Sequence, residues 1–171
     1  EVSFVRTGML GEKVVISGGA FVLPIIHNIT QVGMRTLSLN IKRAGEKSLI
    51  TKDRMRAELV TEFFTKVPPE AKAVSTAAQT LGNRTLDPEH LKEVVAGRFA
   101  DALGEVAAKM TLDEIQENRG HFVKEVAKIA NESIGHTGLA LETVSIISLD
   151  QAPIEMFNPA NTFDSQGLTQ L

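Results

Sequence analysis

An α+β fold is predicted for this chain: an antiparallel, β-rich first half, a helical second half and a final strand. Three features predict it. Leu49 to Val67, LITKDRMRAELVTEFFTKV, alternates with period two over most of its length, as a long strand with one buried face does. Beyond the Pro68-Pro69 pair, apolar residues recur at helical spacing as far as Ala130. Leu139 to Leu149, LALETVSIISL, then turns β-branched in its second half, as strands prefer. Helices followed by a strand, packed beside an antiparallel sheet, make an α+β module.

The strands come first. Lys13-Val14-Val15-Ile16-Ser17 meets a Gly18-Gly19 turn, and Ala20-Phe21-Val22-Leu23-Pro24-Ile25-Ile26 follows. From Met34 to Arg43 the pattern alternates, with Leu37, Leu39 and Ile41 on one face. Leu49 and Ile50 lead into a charged corner, Thr51-Lys52-Asp53-Arg54, whose side chains supply local hydrogen bonds for a tight bend. In the long strand after it, Met55, Ala57, Leu59, Thr61, Phe63, Thr65 and Val67 share one face. Pro68-Pro69 ends this half, because proline lacks the N–H that a strand ladder needs.

The second half reads as helices. Glu70 to Leu81 is Ala-rich and stops at Gly82, a suitable C-cap. Asp87-Pro88-Glu89 starts the next helix: Asp caps free N–H groups, and Pro at the first helical position loses nothing. Leu86 and Leu91 have the spacing of a hydrophobic staple. Leu91, Val94, Val95, Phe99, Ala102, Leu103, Val106 and Met110 form its apolar stripe. Thr111 with Glu114 makes a capping box, so a further helix begins at once. Ile115, Phe122, Val126, Ile129 and Ala130 line its buried side, and Gly135 to Gly138 closes it. The domain reading is a β-rich subdomain over 1–67, a helical subdomain over 68–150 and an extended linker over 151–171.

Composition removes several classes of function. There is no cysteine, which excludes disulfides, thiolate zinc sites and cysteine nucleophiles. There is no tryptophan or tyrosine, so only eight phenylalanines could stack on nucleic-acid bases. The four histidines, His27, His90, His121 and His136, show no HExxH spacing. The GxSxG elbow and Gly-rich phosphate loops are absent. Asp113 and Glu114 sit at a helix start, where carboxylates complement the helix dipole. No catalytic, cofactor-binding or metal-binding residue is expected, and neither a nucleic acid nor a small-molecule substrate.

The net charge of −3 hides an asymmetry. Residues 1–67 carry 10 Lys+Arg against 6 Asp+Glu, and residues 68–171 carry 8 against 15. A basic front half suits an anionic lipid surface, although a solvated sheet beside acidic helices gives the same count. The longest uninterrupted apolar run is Ala20 to Ile26, whereas a spanning helix needs about 20 residues.

The order VVISGGAFVLPIIHNITQV, MRTLSLNIKR, LITKDRMRAELVTEFFTKV resembles the first half of an SPFH domain, also called band 7. That family holds the stomatins, prohibitins, flotillins and HflK/HflC-type proteins. Phe4-Val5-Arg6-Thr7-Gly8, Ala77-Ala78-Gln79-Thr80-Leu81-Gly82, and Phe157-Asn158-Pro159 with Asn161 and Phe163-Asp164 point to its bacterial flotillin-like branch. The resemblance covers essentially the whole chain and rests on many weak matches in order. It implies a non-enzymatic scaffold at the bacterial inner membrane, on the cytoplasmic side. It also implies a homo-oligomer in the full-length protein, organisation of membrane microdomains, and an NfeD-type membrane partner as a candidate. A membrane anchor would precede this region and a coiled coil would follow it. The alternative reading is a regulatory binding module that controls a membrane protease, as in the HflK/HflC branch.

Candidate contacts follow from both lines of reasoning. Phe21, Val22, Leu23, Pro24, Ile25 and Ile26 do not alternate, so they form either a fully buried strand or an apolar tip that enters a lipid headgroup layer; Pro24 disfavours a central strand. Arg6, Lys13, Arg35, Lys42, Arg43 and Lys47 are the basic surface candidates that would assist such a tip.

Overall fold

The computed structural model describes residues 2–8, 11–20 and 27–152. Two compact units make up the chain. The first comprises Glu1–Ser38, Phe64–Val95 and Asn131–Glu142, and the second Leu39–Phe63, Ala96–Ala130 and Thr143–Leu171.

In the first unit, β1 (Val2–Gly8) pairs antiparallel with both β2 (Lys13–Val15) and β3 (His27–Gly33). β2 is shorter than the sequence pattern predicts, because the chain bends from Ile16 to Gly18. Helix α1 (Ala71–Thr80) lies against all three strands. It buries Val74 and Ala77, and its half-buried Ser75 and exposed Gln79 donate to the Glu12 carboxylate. Glu70 is its N-cap residue, and Gly82 follows its end with φ of 58°, the left-handed conformation expected of a residue that stops a helix.

A short 3-10 turn, Gly82–Leu86, joins α1 to α2 (Pro88–Ala107). Its buried Thr85 accepts the Gly33 N–H at 2.8 Å and donates back to the Gly82 carbonyl at 3.1 Å. The sequence reading paired Leu86 with Leu91 as a staple. Leu91 is indeed buried, but Leu86 is 42% exposed, so it closes no staple. The start of α2 is held as predicted: the Asp87 carboxylate accepts from the N–H groups of Glu89 and His90.

Gly138 has φ of 88°, and a Cβ built on it would stand 2.5 Å from both the Ala73 carbonyl oxygen and the Ala77 nitrogen of α1. Gly138→Ala is therefore expected to cost about 1–3 kcal/mol, read as a lowered melting temperature. An unchanged transition would mean that α1 yields freely at this contact.

The long strand contributes to both units, Arg56–Phe63 to the second and Phe64–Lys66 to the first. Strand β6 (Arg56–Lys66) is flanked by β4 (Leu37–Arg43) and β5 (Leu49–Ile50), and β7 (Ala140–Gln151) also pairs with it. Met55, Ala57, Leu59, Thr61, Phe63, Thr65 and Val67 are all buried, and the residues between them are half-buried. The two buried threonines keep their hydroxyls bonded, Thr61 to the Ile41 carbonyl at 3.4 Å and Thr65 to the Ala140 carbonyl at 2.8 Å. That satisfies polar groups on an otherwise apolar face. The Phe63 ring stacks on Phe99 of α2 at 4.4 Å between centroids, 9° from parallel.

The helix predicted to run on from Thr111 is two helices, α3 (Leu112–Glu117) and α4 (Arg119–Ile134). Thr111 caps α3 by accepting the Glu114 N–H. Asn118 then leaves the helical region at φ −129°, ψ 59°, and its side chain accepts the His121 N–H. An Asn that caps in this way starts a new helix.

Candidate functional site

The charged corner Thr51-Lys52-Asp53-Arg54 contains an acid and two bases, yet its geometry is that of an anchor. Thr51 is buried, its hydroxyl contacts the Asp53 carboxylate, and it accepts the Met55 N–H at 3.0 Å. Arg54 turns through φ of 62°. Lys52 N–H donates to the Met110 carbonyl at 2.8 Å, and Asp53 accepts the Leu112 N–H at 3.3 Å. The corner therefore plugs the junction of α2 and α3, and Asp53 complements the start of a helix.

Among the described residues, no group of three His, Asp or Glu side chains could hold a metal ion. A cleft of about 370 Å³ is lined by Val106, Lys109, Met110, Glu114, His121, Glu125 and Ile129. Its floor is apolar, its rim is charged, and it contains no hydroxyl that could serve as a nucleophile. A second cleft of about 380 Å³ runs between Arg43, Lys47 and the Ser48–Ile50 edge on one side and Ala100, Asp101, Gly104 and Glu105 of α2, with Ala108 just after it, on the other. The first cleft holds four titratable side chains, Lys109, Glu114, His121 and Glu125; acid–base chemistry would need them to converge on one atom.

The six basic candidates do not form one group. Arg6 is a correction: it is only 7% exposed, so it is not a surface cation. It stands in register between Lys13 of β2 and Ile29 of β3, on the central strand of the small sheet. Lys13 is exposed. Arg35 is exposed beside a largely apolar cleft of about 220 Å³ that Val2, Gly33, Thr85, Leu86 and Pro88 complete. In the second unit, Lys42 and Lys47 are exposed and Arg43 is half-buried. The apolar candidates Phe21, Val22, Leu23, Pro24, Ile25 and Ile26 lie outside the described residues.

Sequence reasoning missed three exposed apolar side chains. Val2, Ile16 and Ile29 are 47%, 39% and 48% exposed, and β1 and β3 carry two of them. Their short strands mix polar and apolar residues without clean alternation, so period-two reasoning assigned them no outward face. No helix among the described residues is long and apolar enough to cross a membrane.

An antiparallel β-rich half, a helical half and a final strand define an α+β module. Residues 2–161 match the SPFH domain / Band 7 family, and the chain belongs to that family. It is 50% identical over its whole 171 residues to the flotillin family inner membrane protein YqiK of Escherichia coli, covering 31% of that protein. It is 29% identical over 170 residues, 97% of the chain, to the flotillin family inner membrane protein sll1021 of Synechocystis, covering 25% of it. With human Flotillin-1 the identity is 25% over 159 residues, 90% of this chain and 36% of that one. The chain thus spans little more than a third, at most, of each of these relatives. It is a flotillin-like SPFH module.

Proposed function

We propose that this chain is a non-enzymatic scaffold module that works at the cytoplasmic face of a bacterial inner membrane. Copies of the longer protein oligomerise, organise membrane microdomains and engage an NfeD-type membrane partner. The observation that carries this reading is the 50% identity over the whole chain to a protein named as a flotillin family inner membrane protein. Exposed Val2, Ile16 and Ile29, with Lys13 and Arg35 exposed in the same unit, support lipid contact by that unit. Apolar side chains enter a headgroup layer while cations meet anionic lipid at about 1 kcal/mol each.

The test is flotation with vesicles. At low salt the chain is expected to float with anionic phospholipid vesicles and to remain behind with zwitterionic ones, because the electrostatic share is screened by salt. Complete recovery in the non-floating fraction with both would overturn lipid contact by this domain and reduce its role to protein–protein scaffolding.

A second reading, a regulatory module that binds a membrane protease or another membrane protein, is favoured by the cleft between the Ser48–Ile50 edge and α2. Ala100, Gly104 and Ala108 leave that helix wall low, and extended peptides bind at such sheet edges by main-chain hydrogen bonds.

A further inference from the structure

The cleft of about 370 Å³ in the second unit joins an apolar floor to carboxylates that have no partner. All its lining residues fall within 96–130 of that unit. Val106, in the last turn of α2, and Met110, just past it, are 2% and 7% exposed. They form the floor with the half-buried Ile129 of α4. His121, Glu125 and Ile129 follow one another at four-residue intervals, so they share one face of α4. Glu114 comes from α3.

The charge of the rim is one-sided. Lys109 is paired one turn back with Glu105 at 3.6 Å. Among the described residues, the Glu114 and Glu125 carboxylates form no ion pair and accept no hydrogen bond. Lys124 and Lys128 of α4 are exposed but do not line the cleft. Two carboxylates from two helices thus stand beside an apolar floor, and opposite potentials attract across an interface.

The lining narrows the occupant further. It includes no strand residue, and the Met110 carbonyl already accepts the Lys52 N–H. No main-chain ladder can therefore hold an extended peptide, and side chains must carry recognition, as when a helix lays its apolar face in a groove. The lining has no phenylalanine to cage a quaternary ammonium. Residues 153–171 of this chain contain Glu155 and Asp164 and no Lys, Arg or His, so their charge is the wrong sign. We propose that the cleft seats a cationic amphipathic helix of another protein. An apolar side chain packs on Val106, Met110 and Ile129, and lysines or arginines within a turn of it reach Glu114 and Glu125. Apolar segments next to Lys and Arg are the chemistry of the cytoplasmic ends of membrane-spanning helices. This surface needs neither lipid contact nor assembly of copies.

The probe is a synthetic peptide of about 18 residues, above the roughly 12–15 at which isolated helices become marginal. It carries leucines at helical spacing on one face, lysines beside them and alanines elsewhere. Affinity is measured at low salt by titration calorimetry with the whole chain. The lysine–leucine peptide is expected to bind. Counterparts with glutamate for lysine, or alanine for leucine, are expected to bind at least about tenfold more weakly. Glu114→Lys/Glu125→Lys should lower affinity for the lysine peptide about tenfold and raise it for the glutamate peptide. Methyl-labelled methionine locates the contact: the Met110 signal, assigned by its loss in Met110→Leu, should shift on titration, while that of Met34 in the first unit stays.

No binding at about 1 mM peptide would overturn the proposal. So would binding that leaves the Met110 signal in place, or equal binding of the glutamate or alanine counterpart. Broadening of the Met110 signal that grows with protein concentration in the absence of peptide would assign the cleft to a second copy and overturn it too. A thermal melt checks the double reversal; were that variant unfolded, the charge-reversed peptide and the Met110 signal still decide.

Discussion

Phe99→Ala is expected to lower the melting temperature of this chain by about 6–20 °C. Phe99 and Phe63 are both 0% exposed, and their rings stack at 4.4 Å. Truncating a buried phenylalanine costs about 3–5 kcal/mol, the lost transfer energy plus the cavity left behind. Part of this is the aromatic pair itself, worth about 0.5–1.5 kcal/mol beyond buried area. In a domain of this size each kcal/mol moves the transition by roughly 2–4 °C. A typical domain has only about 5–15 kcal/mol in total, so the loss is a large share. Phe99→Leu keeps most of the volume and should retain much of the stability, which separates cavity formation from loss of the ring. An unchanged transition for Phe99→Ala would mean that the ring contributes nothing to the second unit's core.

That core is legible in the sequence because its two periodicities are strong. The β6 alternation holds at every position from Met55 to Val67. The α2 stripe holds from Leu91 to Met110, with only Val94 half-buried. Both signals are repeated many times along one element, so single exceptions do not hide them. Caps were legible for the same reason that they work: Asp87, Thr111 and Gly138 each have a local bonding or conformational role that residue type nearly dictates.

What escaped was decided by single residues or by tertiary pairing. Asn118 splits α3 from α4 through one side-chain hydrogen bond, and nothing in the apolar spacing on either side registers it. Arg6 reads as a surface cation because arginine usually is one; that it is only 7% exposed, on the central strand of a small sheet, is a tertiary fact. Gly33 could not be read as a contact point either. Its requirement comes from the Thr85 backbone, 52 residues away. That β4 and β7, among the described residues, pair only with β6 is likewise a property of strand order, which propensity does not encode.

The proposed lipid contact is where sequence and surface meet. If residues 20–26 form the proposed membrane-contacting tip, a Phe21→Asp/Leu23→Asp double variant is expected to abolish vesicle binding while the folded transition remains. Apolar transfer scales with buried area at about 25 cal/mol per Å², or about 1.5–3 kcal/mol for a fully buried Phe or Leu side chain. Removing two therefore costs about 3–6 kcal/mol, roughly a hundredfold to ten-thousandfold in affinity. The introduced carboxylates add repulsion from anionic lipid. Arg35→Glu should weaken binding more modestly, since one cation contributes about 1 kcal/mol near an anionic surface, and Lys13→Glu should match it. Flotation and a thermal melt are measured on the same samples. A double variant that no longer unfolds cooperatively would make Phe21 and Leu23 core residues, and lipid contact would then rest on Val2, Ile16 and Ile29 alone. A folded variant that still floats would remove residues 21–26 from the contact altogether. Graded loss across the two charge reversals with complete loss in the double variant is the pattern that an apolar tip assisted by cations requires.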